Sequence, residues 1–464
     1  MDICKSQELK TLENLWQQGG VRFAFIAGKR HSGKTTLVEQ FAQNKPAVCV
    51  HFYDQMLFYN ICSFNQALRK ANIFGDFQDF DNLHDVIQFV FNKSTEQPLI
   101  LILDELQYID KAHQSLSYFL VRLKEQLASS ANLLLILTSS SMNYINKSIL
   151  DKKNILHDLC TFINISPLDF FDTYQYFNTK DLETLMYVYS IFGGYLYYLK
   201  KMDITKSIKE NILTNFLQRD SPLHHDAFLQ VYDEFHDLTL QTGLMTAMAY
   251  DNLRRKEIDD FLHSVVDPTP YSTALTNSGF VTKYPTYGRN ENKHNVYSII
   301  LPFVKFYYRY IPFVSHALES NDIDWAITYI MNDLPNMLPF MFKKVCIEWL
   351  KRQNKLNKLP IKFSDIFVSP TLNAKNDETN RLDFIISNRK LDCILCKCVW
   401  SNSDIEFSKL KKTIQLNNYI DTVGEVSTYM FTNKNFVKKC KEYVADHTSC
   451  TIVTLEDMVE SICK

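Results

Sequence analysis

"GKRHSGKTT", residues 28–36, stands in a chain with only 11 glycines among 464 residues, and two of them are spaced five apart here. Gly28, Gly33, Lys34 and Thr35 meet the pattern G-x-x-x-x-G-K-[ST]. Such a loop turns its backbone N–H groups toward phosphate oxygens, and its tightest bends leave no room for a Cβ. On this reading Lys34 reaches the β- and γ-phosphates of ATP and the Thr35 hydroxyl meets Mg²⁺. Lys29, Arg30, His31, Ser32 and Thr36 complete the cradle. The flanks agree. Phe23–Ile26 and Ala27 form an apolar run suited to a buried strand, and Thr36–Phe41 reads as the start of a helix. A helix N-terminus carries unpaired N–H groups and a partial positive charge, both of which favour an anion.

Outward from the loop, a nucleotide site needs an acidic group for metal and water. Leu99–Leu103 is an uninterrupted apolar run that ends in Asp104 and Glu105, seventy residues after Lys34. Asp104 is placed to hold Mg²⁺ through water, and Glu105 to orient and deprotonate the attacking water. An apolar run ending in two acids is also what any strand reaching solvent looks like; the complete loop upstream favours the catalytic reading. Further strands are expected at Val48–Phe52, Leu133–Leu137 and Phe162–Ile165, with helices near Leu83–Asn92 and Gln114–Ala128. Alternating strands and helices predict a parallel sheet covered on both faces. One extra strand should separate the loop strand from the acidic one. Leu133–Leu137 runs into Thr138-Ser139-Ser140-Ser141, where Ser140 is the candidate to sense the γ-phosphate.

Composition bounds the rest. A chain of 464 residues calls for three or four domains. Its formal charge of −2 gives no global field for nucleic acid. No stretch approaches the roughly 18 apolar residues of a membrane helix, and the opening MDICKSQELK lacks the apolar core of a signal peptide. The expectation is a soluble, cytoplasmic chain with no membrane partner. Eleven cysteines without a paired framework suit a reducing compartment.

Several stretches together carry a family resemblance: Glu8-Leu9, "GKRHSGKTTL" (28–37), "LILILDELQYID" (99–110), "LILTSSSM" (135–142), "INISPLDFFDTYQYF" (163–177) and "FGGYLYYL" (192–199). They resemble the archaeal and bacterial P-loop ATPases of the AAA-related, STAND-like group, which carry a winged helix and a C-terminal restriction-endonuclease-like domain. The resemblance implies an α/β chain with a P-loop parallel sheet over 1–165, a helical lid over 166–235, a winged helix over 236–312 and a C-terminal α/β nuclease-like domain over 313–464. It also implies ATP and Mg²⁺ as cofactors. Three departures stand out. Leu196 replaces the lid proline, Ser139 replaces the sensor glycine, and no arginine lies between Met142 and Ile165. Hydrolysis is therefore expected to be slow unless a neighbour, such as a second copy in a homo-oligomer, supplies charge.

In the lid, Leu182–Phe192 and Ser207–Phe216 have helical periodicity, with Gly193-Gly194 separating two lid helices. Tyr195, Tyr197 and Tyr198 could stack on a base, but their spacing favours core. His224-His225-Asp226 lacks a third ligand and reads as a solvated linker rather than a metal site. Helices at Leu238–Tyr250, Lys256–Leu262 and Thr269–Ser278, then strands at Phe280–Tyr287 and Asn295–Ile300, make the winged-helix pattern. Over 251–300, six Lys/Arg are cancelled by six Asp/Glu, so packing against protein is at least as well supported as DNA binding.

In the tail, Asp383 opens the apolar run Phe384–Ile386, and Leu391–Trp400 returns as a second strand. The nuclease pattern asks for Asp and then E-x-K; here Leu395 stands where the glutamate belongs, and Lys397 keeps its place. The earlier acid of the family is Lys343. The remnant, Asp383 with Lys397, is expected to be inactive, with Glu406 or Asp392 as the acids that could have relocated. Twelve Lys/Arg against six Asp/Glu over 341–400 leave room for a DNA or protein partner. Cys393, Cys396 and Cys398 form C-x-x-C-x-C, but on a strand they face opposite sides, so buried thiols are expected rather than zinc. The reading that emerges is an ATP-driven conformational switch with a dead nuclease tail. The alternatives are an ATP-gated enzyme with a working nuclease and a scaffold that binds ATP without turnover.

Overall fold

The apolar runs become strands of one parallel sheet. A computed structural model of the chain describes residues 6–110, 116–127, 130–218, 220–235, 239–261, 267, 269–289, 294–369, 381–420 and 422–463. The predicted helix ends at Gln114, Ala128, Leu238 and Leu262 lie outside these. β1 (Val21–Ala27), β2 (Ala47–His51), β3 (Leu99–Asp104), β4 (Leu133–Ser139) and β5 (Cys160–Asn164) stand in the order β2-β3-β4-β1-β5, and every neighbouring pair is parallel. The extra strand expected between the loop strand and the acidic strand is β4.

Strand alternation builds two cores from the same strands. Phe23 and Phe25 of β1, Leu99, Leu101 and Leu103 of β3, and Leu133, Leu135 and Leu137 of β4 fill one face. Ala24 and Ile26, Ile100 and Ile102, and Leu134 and Ile136 fill the other, where they meet Leu37, Val38 and Phe41 of helix Lys34–Ala42. Successive side chains of a strand point to opposite faces, so an unbroken apolar run is what a doubly covered strand requires. Each fully buried side chain of this size contributes about 1.5–3 kcal/mol of transfer free energy. The register also decides the site. Ala27 pairs with Ser139, and His51 pairs with Asp104, so all four strand ends share the carboxyl edge of the sheet.

The chain divides into two compact units: residues 1–167 with Tyr195–Tyr197, and residues 168–194 with 198–464. In the second, Asp169 and Asp181 cap helices Phe170–Phe177 and Leu182–Phe192 by accepting N–H bonds in their first turns. Ser207 and Glu210 close a reciprocal capping box on helix Ile208–Ile212. Asp226 departs from expectation. It is buried rather than solvated, accepts a bond from the Tyr198 hydroxyl and lies 3.0 Å from Gln230 Nε2.

Helices Thr239–Tyr250, Arg255–Phe261 and Thr269–Asn277 are followed by strands at the expected positions, trimmed at both ends. A two-residue strand too short to predict, β6 (Leu253–Arg254), joins β7 (Val281–Tyr284) and β8 (Val296–Ile299) in an antiparallel sheet of order β6-β8-β7. Helices Pro302–Glu319 and Ile323–Lys355 come next. The last sheet is mixed. β9 (Asp365–Val368), β10 (Phe384–Ser387) and β11 (Cys393–Val399) are antiparallel neighbours, and β12 (Val426–Thr432) and β13 (Cys450–Thr454) continue in parallel. Cys393, Cys396 and Cys398 lie on β11 as buried free thiols, as the extended reading expects.

Candidate nucleotide site

Gly28 leaves β1 where its N–H is 3.3 Å from the carbonyl of Ser139. A Cβ on Gly28 would stand 2.7 Å from the Ile165 carbonyl oxygen and 2.6 Å from Ser32 Oγ, so this position must be glycine. Gly33 has φ 88, a left-handed conformation that glycine adopts without cost, and it opens helix Lys34–Ala42. Ser32 and Lys34 are buried, Lys29, His31 and Thr35 half-buried, and Arg30 and Thr36 exposed. The loop closes over the sheet edge through the Lys34 ammonium, which donates to the Gly28 carbonyl at 2.9 Å and more loosely to that of Lys29 at 3.4 Å.

Thr35, Asp104, Glu105 and Ser140 are brought together with Lys34. Thr35 Oγ1 donates to Asp104 Oδ2 at 2.9 Å. Lys34 Nζ lies 3.3 Å from Glu105 Oε1. Ser140 donates to Glu105 Oε2 twice, from its N–H at 2.9 Å and its hydroxyl at 2.7 Å. Ser140 therefore fixes the glutamate. Glu105 itself has φ 60, unusual for a residue with a Cβ, and strain of this kind collects at functional positions.

Three partners escaped the sequence reading. His51, the last residue of β2, meets Asp104 Oδ2 through Nδ1 at 2.7 Å. Thr138 donates its hydroxyl to Asp104 Oδ1 and accepts the Glu105 N–H at 3.1 Å, tying both acids to β4. Gln107 Nε2 donates to Glu105 Oε2 at 2.7 Å. The available signal was positional: polar residues ending apolar strands at one sheet edge.

Both acids stay ionised despite burial. Burial pushes the Asp104 carboxyl up, but bonds from His51, Thr138 and Thr35 with the His51 charge bring it below its usual value. For Glu105, burial is again the largest effect; the Lys34 charge and bonds from Gln107 and Ser140 outweigh it and bring the group down. The bond to Asp104 raises the His51 imidazole against the opposing effect of its burial.

The second cluster lies in the tail. Lys343, on helix Ile323–Lys355, pairs with Asp383 Oδ1 at 2.8 Å, and Lys397 Nζ is 3.8 Å from Oδ2. The N–H of Cys398 adds a 2.7 Å bond to Oδ2. Burial pushes Asp383 up; the Lys343 and Lys397 charges overcome it and leave the carboxyl below its usual value. Asp392 accepts bonds from Asn388 and the Glu425 N–H, at the opposite end of β11 from Asp383. Glu406 stands at the N-terminus of helix Phe407–Gln415. Among the described residues, no group of three or more His, Cys, Asp or Glu is placed to hold a metal ion, and no helix is long and apolar enough to cross a membrane.

The residues of this site fall within a match to a known family. A family described as an ATPase domain predominantly from Archaea matches residues 5–202. A second, of archaeal and bacterial proteins of unknown function, matches residues 307–414. An uncharacterized protein of Methanocaldococcus jannaschii is 28% identical over 372 residues, 79% of this chain and 81% of that protein. Among solved structures, the Walker-type ATPase PABY2304 of Pyrococcus abyssi has a TM-score of 0.47 at 17% identity, covering 66% of this chain and 95% of its own. The ORC2 protein of Aeropyrum pernix, solved as ADPNP and ADP complexes, has a TM-score of 0.45 at 14% identity, covering 72% and 95%. Residues 5–202 thus carry an ATPase domain of a predominantly archaeal family, and residues 307–414 a domain shared with archaeal and bacterial proteins of unknown function.

Proposed function

We propose that the protein binds ATP with Mg²⁺ at residues 28–36 and hydrolyses it slowly, as a conformational switch. One observation carries this reading: Lys34, Thr35, Asp104 and Glu105, from two distant stretches of chain, converge within hydrogen-bonding reach of one another. Thr35 Oγ1 and Asp104 Oδ2 are paired hard oxygens, the donor type that Mg²⁺ takes, with water and phosphate completing its shell. Thr35 would hold the ion directly and Asp104 through water. When bound, the ion supplies positive charge against the phosphate oxygens.

Lys34 now satisfies the Gly28 carbonyl and Glu105. A phosphate arriving at the loop competes for that ammonium and releases Glu105 from it. Glu105, ionised and held by Ser140 and Gln107, then serves as the base that orients and deprotonates water. With no arginine between 142 and 165, faster turnover requires charge from a partner, such as a second copy of the chain.

We read residues 166–235 as the lid, 236–312 as a winged helix and 313–464 as a degenerate nuclease domain that binds DNA or protein without cutting. Lys343 supports this: its ammonium occupies the flank of Asp383 where a second metal-binding carboxylate would be needed. A cytoplasmic location fits the nine free thiols among the described residues. The test is ATP turnover by the full chain in Mg²⁺, with and without double-stranded DNA. Slow, Mg²⁺-dependent phosphate release supports the switch. ATP bound but never hydrolysed under either condition supports the scaffold instead.

A further inference from the structure

Residues 29–32 form a tight turn at the front of the loop, closed by the Ser32 N–H donating to the Lys29 carbonyl at 3.1 Å. His31 is the third residue of that turn and has φ 65. Turns with a left-handed third residue ordinarily place glycine or asparagine there, because a longer side chain sets its Cβ against the backbone. Here a histidine takes the position, and something outside the turn must offset the cost.

Tyr197 is placed to do so. It belongs with the first compact unit, its ring centroid is 3.9 Å from that of His31, and the two planes are within 9° of parallel. Tyr195 and Tyr198 on either side are buried, whereas Tyr197 is 36% exposed and stacked on the loop. Its neighbour Leu196 stands where a lid proline was expected. Close parallel stacking of two rings fixes the plane and direction of each. The side chain of His31 cannot leave this plane without breaking the stack, and a flip of the residue to ordinary φ would swing it away.

We propose that Tyr197 is a positioning residue for the phosphate loop: by stacking on His31 it holds the left-handed turn residue that aims the loop's N–H groups. The inference rests on the loop being a nucleotide site. It assigns Tyr197 a role through His31, with no contact to the nucleotide required.

The experiment is a cycle of variants read by ATP calorimetry in Mg²⁺, using the full chain. Tyr197→Ala lowers affinity about five- to tenfold, the equivalent of losing support for one left-handed residue. Tyr197→Phe retains parent affinity because the ring remains. His31→Gly sets its own reference affinity, in which the turn no longer needs support because glycine reaches positive φ without help. In the His31→Gly background, Tyr197→Ala then has no further effect. Thermal midpoints equal to the parent's accompany each variant. Parent-like affinity in Tyr197→Ala overturns the inference. An equal loss from Tyr197→Ala in both backgrounds also overturns it, and shows Tyr197 touching the nucleotide instead. A parent chain that binds no ATP removes the nucleotide reading, and this inference with it.

Discussion

Lys34 Nζ stands 3.3 Å from Glu105 Oε1, so the cation proposed for phosphate and the acid proposed for water are paired with each other. This pairing makes binding and turnover separable. Glu105→Gln keeps size and hydrogen-bonding capacity but cannot take a proton. ATP affinity is expected to stay within a few-fold while turnover falls roughly 10²-fold or more. Phosphate release at the parent rate in the variant would move the base elsewhere.

Thr138 joins the two acids, donating to Asp104 and accepting from the Glu105 N–H. Thr138→Val keeps the shape and deletes the hydroxyl, leaving a buried N–H and carboxylate oxygen short of a partner. Stability should fall by about 1–3 kcal/mol. Turnover should fall about tenfold or more, as for loss of an outer support to a metal site. Unchanged steady-state kinetics would show that Thr138 does not position the acids.

The tail is expected not to cut DNA. Metal-dependent cleavage gathers its ion with several carboxylates, and Asp383 is instead flanked by Lys343 and Lys397. Linear and supercoiled DNA incubated with the protein, ATP and Mg²⁺ or Mn²⁺ should remain intact. Cleavage that survives purification and disappears in Asp383→Ala would restore the nuclease.

Lys305 gives a pH signature in the second unit. It is fully buried, donates to the Met248 carbonyl at 3.0 Å and lies over the Phe340 ring. Burial, then the Arg309 charge, pulls its ammonium down to about 7, with Asp251 pushing the other way. A lysine with a lowered folded pKa binds fewer protons than the unfolded chain between about 7 and its ordinary value near 10.4. Its destabilising effect is therefore full below about 7 and lessens as pH rises. Relative to Lys305→Met, the parent should gain about 1–2 kcal/mol between pH 6 and pH 8.5. Thermal midpoints of both chains across that range measure it. A constant difference would mean that Lys305 does not titrate there.

The nucleotide unit was legible because β3 and β4 are unbroken apolar runs, buried on both faces, and because Gly28, Gly33 and Lys34 announce the loop between β1 and its helix. What escaped depends on contacts between residues far apart in the chain. His51 reads as an ordinary strand residue until β2 pairs with β3 and sets it against Asp104. Tyr197 meets His31 from a distant part of the sequence, where neither residue marks the other. Asp226 looks solvent-exposed between two histidines and a helix, yet it serves Tyr198, 28 residues earlier. Pro335 and Pro339 interrupt the pattern of helix Ile323–Lys355, which nevertheless continues through both. That helix carries Lys343 to Asp383; the alignment of Lys343 with an acid of the resembled family was readable, while the ion pair it forms was not.

The claim on which the rest depends is that residues 28–36 hold ATP, and Lys34 is the side chain to remove. Lys34→Ala takes away the ammonium that now bonds the Gly28 carbonyl and faces Glu105. Calorimetric titration of parent and variant with ATP in Mg²⁺ should show affinity falling at least tenfold, about 1.4 kcal/mol or more. Equal binding by the two chains would contradict the assignment of the loop.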